Sequence, residues 1–263
     1  MNLGLHDKVA LVAGASEGLG FAIAKAFSRE GAKVAICSRD VNKINKAAKL
    51  IKDETQGDVM ASVVDLTQSQ DIHDWVQHVA KEWGMIHICI TNTGGPPAST
   101  FIDTTDEQWQ KSLNLTLMSA VRLSHAVIPF MQKQKWGRII HISSASVKNP
   151  IPNLIFSNSI RAAVVALGKT QANELGVNGI LVNSVLPGWA RTERTKVIME
   201  ARAKAANKTI EESYQDREAS IPVKRIATPE EIAAPVVFLA SEQASFVTGV
   251  ALAVDGGETR VPF

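Results

Sequence analysis

The sequence predicts an α/β domain in which a parallel β-sheet is covered by helices on both faces. Seven short apolar runs alternate with longer segments in which apolar residues return every three or four positions. The runs show little internal alternation of apolar and polar residues, which is typical of strands buried on both faces. The predicted strands are residues 8–13, 33–38, 59–64, 87–91, 138–143, 180–186 and 251–254. Right-handed helical crossovers between seven such strands give one doubly wound domain of Rossmann type.

Composition and charge limit the classes of function. Hydrophobic residues make up 45% of the chain, enough for one sizeable core, so residues 1–263 are predicted to form a single domain. The net charge is +2 and the two signs are interspersed, which argues against a nucleic-acid or membrane partner. Residues 1–7 lack signal-peptide features, and no apolar run is long enough to span a bilayer. We expect a cytoplasmic protein.

The two cysteines and six histidines of the chain are the candidates for reactive or metal-binding groups. Cys37 and Cys89 end apolar strand-like runs, which favours two buried, reduced thiols over a reactive thiol at Cys89. The histidines show no spacing typical of metal ligands, so no metal site is predicted.

A glycine-spaced turn follows the first predicted strand and opens the first helix. It reads Gly14-Ala15-Ser16-Glu17-Gly18-Leu19-Gly20. Gly14 permits a tight turn, Gly18 lets backbone approach a phosphate, and Gly20 lets helix and strand pack closely. The turn and the positive end of the helix dipole form a pyrophosphate site. The residues predicted to bind a dinucleotide here are Gly14, Ser16, Glu17, Gly18, Leu19 and Gly20.

The end of the second strand favours NADP(H) over NAD(H). A carboxylate at this tip would bind a ribose 2′-hydroxyl, whereas the chain has Ser38 and then Arg39, whose guanidinium can bind a 2′-phosphate. In the alternative, Arg39 stacks on adenine or points to solvent. Asp40 would weaken the prediction if its side chain turned inward.

Two further strand ends contribute candidate cofactor-binding residues. Asp65, followed by Leu66, is placed to accept a hydrogen bond from the adenine amino group, or else to cap the helix that begins near Ser69. Asn92 and Gly94 end the fourth strand, where the glycine allows the backbone to pass close to a cofactor.

Residues 191–218 differ from the rest of the chain because they are highly charged and weakly periodic. This segment is either a solvated helical insertion or a mobile flap over the substrate, because ligands of such sheets lie beyond the carboxyl ends of the strands.

Taken together, these motifs resemble the short-chain dehydrogenase/reductase family over nearly the whole length. Within that family the chain looks similar to the 3-oxoacyl-acyl-carrier-protein reductases and related sugar or polyol dehydrogenases. The matching features are the glycine turn, Asp65, Asn92-Thr93-Gly94, Asn114, Ile142-Ser143-Ser144, the stretch Pro187-Gly188-Trp189-Ala190-Arg191-Thr192, and Val247-Thr248-Gly249 with Val254-Asp255-Gly256-Gly257. The resemblance implies hydride transfer between NADP(H) and a small carbonyl or alcohol substrate, a homotetramer, and cofactor contacts from Pro187, Gly188 and Thr192.

The resemblance breaks at the catalytic centre. It implies that Ser144 polarises a carbonyl and that Asn114 anchors a water that relays the proton. The family's tyrosine and lysine positions fall at Ser157 and Arg161, and the only tyrosine, Tyr214, lies in the charged segment. A serine hydroxyl is a far weaker acid than a phenol and is much shorter, whereas Arg161 keeps the charge and can still bind ribose hydroxyls.

Three functions remain open at this point. The first is an NADP(H)-dependent oxidoreductase with a non-standard proton donor. The second is a non-catalytic NADP(H)-binding protein, such as a redox sensor or a partner subunit, and the third is a lyase or isomerase on the same fold. Tyr214 is a candidate substitute for the missing tyrosine, whereas His141 is predicted to be structural because strand alternation points it away from Ser144.

Overall fold

A single parallel sheet organises the computed structural model, which describes residues 2–261. The strand order is β3-β2-β1-β4-β5-β6-β7, and every neighbouring pair is parallel. The strands are β1 (Val9–Val12), β2 (Lys33–Ser38), β3 (Val59–Val63), β4 (Ile88–Thr91), β5 (Gly137–Ile142), β6 (Ile180–Pro187) and β7 (Ala251–Val254). The predicted doubly wound fold is confirmed, and strand bounds differ from the predicted ones by one residue or none.

Helices connect the strands and cover both faces of the sheet. They are α1 (Gly18–Arg29), α2 (Val41–Thr55), α3 (Ser69–Trp83), α4 (Asp106–Leu113), α5 (Ser119–Gln134), α6 (Ile155–Leu175), α7 (Glu193–Ala206), α8 (Ile210–Ser220) and α9 (Pro229–Leu239). A π-helical turn, Asn114–Met118, joins α4 to α5. None of the helices within residues 2–261 combines the length and apolar character that crossing a bilayer would require.

Two apolar layers explain why the strands lack amphipathic alternation. Alternate residues of β1 point to opposite faces: Ala10 and Val12 pack with α1, α2 and α9, whereas Val9 and Leu11 pack with α3, α5 and α6. Both faces of the sheet are therefore shielded from water, and the side chains that point to either face must be apolar.

The buried polar groups of the sheet are structural, as predicted. Burial raises the pKa of both Cys37 and Cys89 to about 12, so both stay protonated thiols. His141 is fully buried and hydrogen-bonded to Thr91 Oγ1 at 2.8 Å and Gln171 Oε1 at 2.9 Å. Burial lowers the pKa of His141 to about 4, which keeps the ring neutral.

Candidate functional site

A cleft of about 540 Å³ lies at the carboxyl ends of the strands. Its lining includes every residue that the sequence predicts to bind a cofactor, together with Ser144 and Ser157. The predicted lining residues are Gly14, Ser16, Glu17, Gly18, Leu19, Gly20, Ser38, Arg39, Asp65, Leu66, Asn92, Gly94, Arg161, Pro187, Gly188 and Thr192. Chain topology brings these residues together because parallel strands all end at the same edge of the sheet.

The glycine turn has the geometry that its spacing predicts. Gly14 and Gly18 adopt positive φ angles of 59° and 61°. A Cβ atom on Gly20 would lie 2.2 Å from the carbonyl oxygen of Gly14, so only glycine allows α1 to begin this close to β1. Glu17 precedes α1 and forms no side-chain cap, which leaves the first N–H groups of the helix without a side-chain acceptor. The helix end lies at the cleft and fits an anionic phosphate.

Asn92 holds this turn in place from the neighbouring strand. Its side-chain amide donates hydrogen bonds to the carbonyl oxygens of Ala13 at 3.1 Å and Gly14 at 3.0 Å. The Asn92 side chain therefore fixes the phosphate-binding turn to the end of β4.

At the end of β2, the guanidinium of Arg39 is available to bind a ligand, whereas the neighbouring carboxylate of Asp40 is engaged. The Asp40 carboxylate accepts hydrogen bonds from the backbone N–H groups of Asn42 and Lys43, both at 2.9 Å, and so caps α2. Asp40 also lines the cleft, and its capping bonds hold the carboxylate at the start of α2. Arg39 is exposed and lines the cleft, and within residues 2–261 no carboxylate lies at ion-pair distance from it.

Asp65 is held by a local turn. One carboxylate oxygen accepts hydrogen bonds from the backbone N–H and the hydroxyl of Thr67, both at 2.9 Å. The capping alternative for Asp65 is wrong because α3 begins after Gln68 and Asp65 does not reach its first N–H groups. The other carboxylate oxygen is left for a ligand in the cleft.

Ser144, Ser157 and Arg161 lie together in the cleft. Ser144 follows β5 by two residues, and its hydroxyl accepts a hydrogen bond from the backbone N–H of Ser146 at 3.1 Å. Ser157 lies in the first turn of α6 and is 8% exposed. Arg161 follows one turn later and donates hydrogen bonds to the carbonyl oxygens of Ile142 at 3.0 Å and Ser143 at 3.2 Å.

The guanidinium of Arg161 is a buried charge with neutral partners. Burial, and secondarily the like charge of Arg194, lowers the pKa of Arg161 to about 10, so the group remains a cation near neutral pH. No carboxylate of the described chain, residues 2–261, lies within ion-pair distance of it.

Asn114 is placed differently from the other predicted catalytic residues. It begins the π-helical turn, and it is absent from the cleft lining, where its neighbour Leu115 is found. Its side chain donates to the Thr67 carbonyl at 3.2 Å and accepts from Arg122 at 2.6 Å. Arg122 is not among the residues that the sequence predicts for the site. Its position about two helical turns after Asn114 could have indicated that the two side chains meet.

The charged segment forms two capped helices, α7 and α8, next to the cleft. They enclose a small apolar cluster of Trp189, Met199, Ile221 and Ile226, against which Tyr214 packs. Tyr214 is absent from the cleft lining, and the Arg191 guanidinium lies 5.6 Å from the centre of its ring. Its position indicates packing rather than proton donation, and mobility of the segment remains a prediction.

Comparison with known proteins agrees with this geometry. A family model described as enoyl-(acyl carrier protein) reductase matches residues 14–259. An uncharacterized oxidoreductase, YvrD, of Bacillus subtilis is 33% identical over 99% of both chains. Dehydrogenase/reductase SDR family member 4 of Bos taurus is 34% identical, over 96% of this chain and 88% of the relative. The chain belongs to the short-chain dehydrogenase/reductase family.

Solved structures of this family superpose closely on the chain. An L-sorbose reductase from Gluconobacter frateurii, complexed with NADPH and L-sorbose, gives a TM-score of 0.95 at 32% identity, over 99% of this chain and 100% of that one. An actinorhodin polyketide ketoreductase with NADPH gives 0.93 at 28% identity, over 97% and 98%.

The close approach at Gly20 generates a prediction about stability. Gly20→Ala should lower the free energy of unfolding by about 1–3 kcal/mol, because the added methyl group overlaps the Gly14 carbonyl oxygen and the Asn92 amide. Urea denaturation measures the effect. Gly176→Ala is the matched control because open space surrounds that position, and it should leave stability unchanged or slightly raised. Equal stabilities of the two variants would contradict the packing described above.

Proposed function

We propose that the chain is an NADP(H)-dependent oxidoreductase that interconverts a carbonyl and a hydroxyl group on a small substrate. The single observation that carries the proposal is the free cation Arg39 at the tip of β2, beside an uncapped α1 N-terminus, in a cleft that also holds Ser144 and Arg161. Relatives that are reductases, and structural neighbours that are NADPH complexes, support the same reaction class.

The cleft has a suitable group for each part of the cofactor. The α1 N-terminus would take the pyrophosphate, Ser38 and Arg39 the 2′-phosphate, and Asp65 the adenine amino group. Arg161 would bind the nicotinamide ribose, with Pro187, Gly188 and Thr192 beside the nicotinamide. Bound NADPH would supply the hydride that reduces the carbonyl carbon.

The proton must reach the substrate oxygen by a route that lacks a phenol. A serine at 157 ends one aromatic ring short of the position that a tyrosine hydroxyl would occupy. We propose that a water fills this gap, held by the hydroxyls of Ser157 and Ser144, and delivers the proton to the oxygen. Arg161 cannot donate its proton near neutral pH, but its charge would stabilise the developing alkoxide.

Non-catalytic NADP(H) binding is the second candidate, and the short side chain of Ser157 is the observation that favours it. Titration of the protein with NADPH and NADH, followed by a panel of carbonyl and alcohol substrates monitored at the nicotinamide absorbance, separates the two functions. Binding with turnover supports the oxidoreductase, binding alone supports the second candidate, and failure to bind either dinucleotide overturns both.

Arg39 should determine the preference between the two dinucleotides. Arg39→Gln should raise the Kd for NADPH about 10- to 100-fold, because charge-assisted hydrogen bonds to a phosphate are lost, and should leave the Kd for NADH nearly unchanged. Fluorescence titration measures both. Lys46→Gln removes an exposed cation of α2 that does not line the cleft and should change neither value. An equal loss for both dinucleotides would instead mean that Arg39 stacks on adenine.

Ser157 should support proton transfer. Ser157→Ala should lower kcat about 100-fold, since general acid–base catalysis is typically worth that much or more, with little change in the Kd for NADPH. Ser159→Ala, an exposed serine two residues later on α6, should have full activity. An unchanged kcat in Ser157→Ala would place the proton donor elsewhere. If the parent protein is inert and Ser157→Tyr with Arg161→Lys creates activity, the chain is a binding protein.

The chain is also proposed to form a homotetramer. Ala162, Ala163 and Ala166 leave a small-residue surface on α6, and Phe238, Phe246 and Leu252 expose apolar area beside the edge strand β7. Sedimentation velocity should give a mass of four times 28.3 kDa. A monomer at micromolar concentration would contradict this assembly.

A cytoplasmic location completes the proposal. Cys37 and Cys89 are both free and buried, and they form no disulfide with one another. Free thiols are the usual state in a reducing compartment.

A further inference from the structure

We infer that the substrate carries an anionic group, a carboxylate or a phosphate, bound between the guanidinium groups of Arg161 and Arg194. The inference rests on the proposed function and specifies its substrate as an acidic carbonyl or hydroxyl compound. The inference is based on two arginines that line the same cleft and that have no carboxylate at ion-pair distance within residues 2–261.

Arg194 is held in position across the cleft. It lies in the first turn of α7, and its guanidinium donates hydrogen bonds to the carbonyl oxygens of Gly95 at 3.2 Å and Pro96 at 3.1 Å. These bonds connect α7 to the loop after β4. A Cβ atom on Gly95 would lie 2.2 Å from the Arg194 guanidinium carbon, so the loop has a glycine where the cation packs. Arg194 is therefore an ordered group of the cleft.

The acidic residues that line the cleft are already engaged elsewhere. Asp40 caps α2, Asp65 binds Thr67, and Glu17, Glu193 and Glu258 form ion pairs with Lys43, Lys196 and Arg217. In the part of the chain that the structure describes, no carboxylate lies at ion-pair distance from Arg161 or Arg194. The guanidinium groups of both residues donate to backbone carbonyl oxygens, and Arg194 is also exposed to solvent.

The cost of this arrangement indicates what the two arginines bind. Burial lowers the pKa of Arg194, and burial together with the charge of Arg194 lowers that of Arg161. Arg161 is buried without a carboxylate partner among residues 2–261, whereas Arg194 is exposed and donates to the carbonyl oxygens of Gly95 and Pro96. An anion removes the repulsion and can accept paired hydrogen bonds from planar guanidinium forks.

Apolar side chains complete a compact substrate compartment. Ile151, Leu154 and Ile198 line the same cleft as the two arginines. A ligand with a short carbon skeleton and a single charged end matches this mixture of groups, because small-molecule sites combine apolar walls with a few fixed polar groups.

Matched pairs of charged and neutral compounds test the inference. Pyruvate is compared with methyl pyruvate, and glyceraldehyde 3-phosphate with glyceraldehyde, in turnover assays at saturating NADPH. In at least one pair, the KM of the charged compound should be lower than that of the neutral compound by about 10-fold or more. Which pair shows the larger ratio distinguishes a carboxylate from a phosphate.

Variants of Arg194 assign the preference to this residue. Arg194→Gln should raise KM for the charged member about 10- to 100-fold, because the guanidinium that pairs with the anion is lost, and leave KM for the neutral member nearly unchanged. Arg194→Lys keeps the charge and should retain most of the preference. Lys196→Gln, an exposed cation of the same helix, should behave as the parent protein.

Ligand binding and turnover can be measured separately, so a failure of the inference can be told apart from a failure of the proposed function. Calorimetric titration of pyruvate and methyl pyruvate into the NADP⁺ complex measures the anion preference without chemistry. Preferential binding of the acid without turnover supports the inference and overturns the proposed activity. Turnover with equal KM for the charged and neutral members of both pairs overturns the inference alone. A rise in the Kd for NADPH in Arg194→Gln as large as the rise in KM also overturns it, because the cofactor phosphates would then be the anion.

Discussion

The clamp between the glycine turn and the end of β4 is the contact on which the site depends. The Asn92 amide bonds the two carbonyl oxygens of Ala13 and Gly14, while Gly20 lets α1 start within van der Waals range of that same backbone. These contacts fix the uncapped end of α1 relative to β4 and β5. The proposed phosphate site and the two serines proposed to act in catalysis then share one rigid frame, and hydride transfer requires such fixed relative positions.

Uncompensated positive charge is the second defining property of the cleft. Arg161 bonds only to neutral carbonyls, and its charge would be costly to bury in a structural core. Sites that bind charged ligands accept such a cost, because the ligand recovers it on binding. Arginine suits this role better than lysine: its intrinsic pKa is so high that the group stays ionised even where burial lowers it to about 10.

Sequence reasoning predicted most of the frame and less of the chemistry. The strands and the residues that line the cleft could be predicted from local sequence patterns. Apolar runs indicate buried strands, and the spacing of the glycines indicates the turn between β1 and α1. The conformation of Asn114 does not follow, because a π-helical turn depends on tertiary packing that leaves no mark in helical periodicity. The partners of Asp65 and Arg194 were also missed. A carboxylate can satisfy several nearby donors, and Arg194 meets Gly95 only after the chain has folded.

Under the proposed function, the missing phenol and the two arginines belong to one chemical arrangement. A carbonyl reacts with hydride more readily when a neighbouring group withdraws electrons, and it then needs less help from a general acid. A carboxylate next to the carbonyl has this effect once its charge is neutralised by guanidinium groups. Binding an acidic substrate between Arg161 and Arg194 would both orient the carbonyl and activate it. A water held by Ser157 and Ser144 would then be a sufficient proton donor, which accounts for an oxidoreductase site that retains its serine and its cation while lacking the tyrosine.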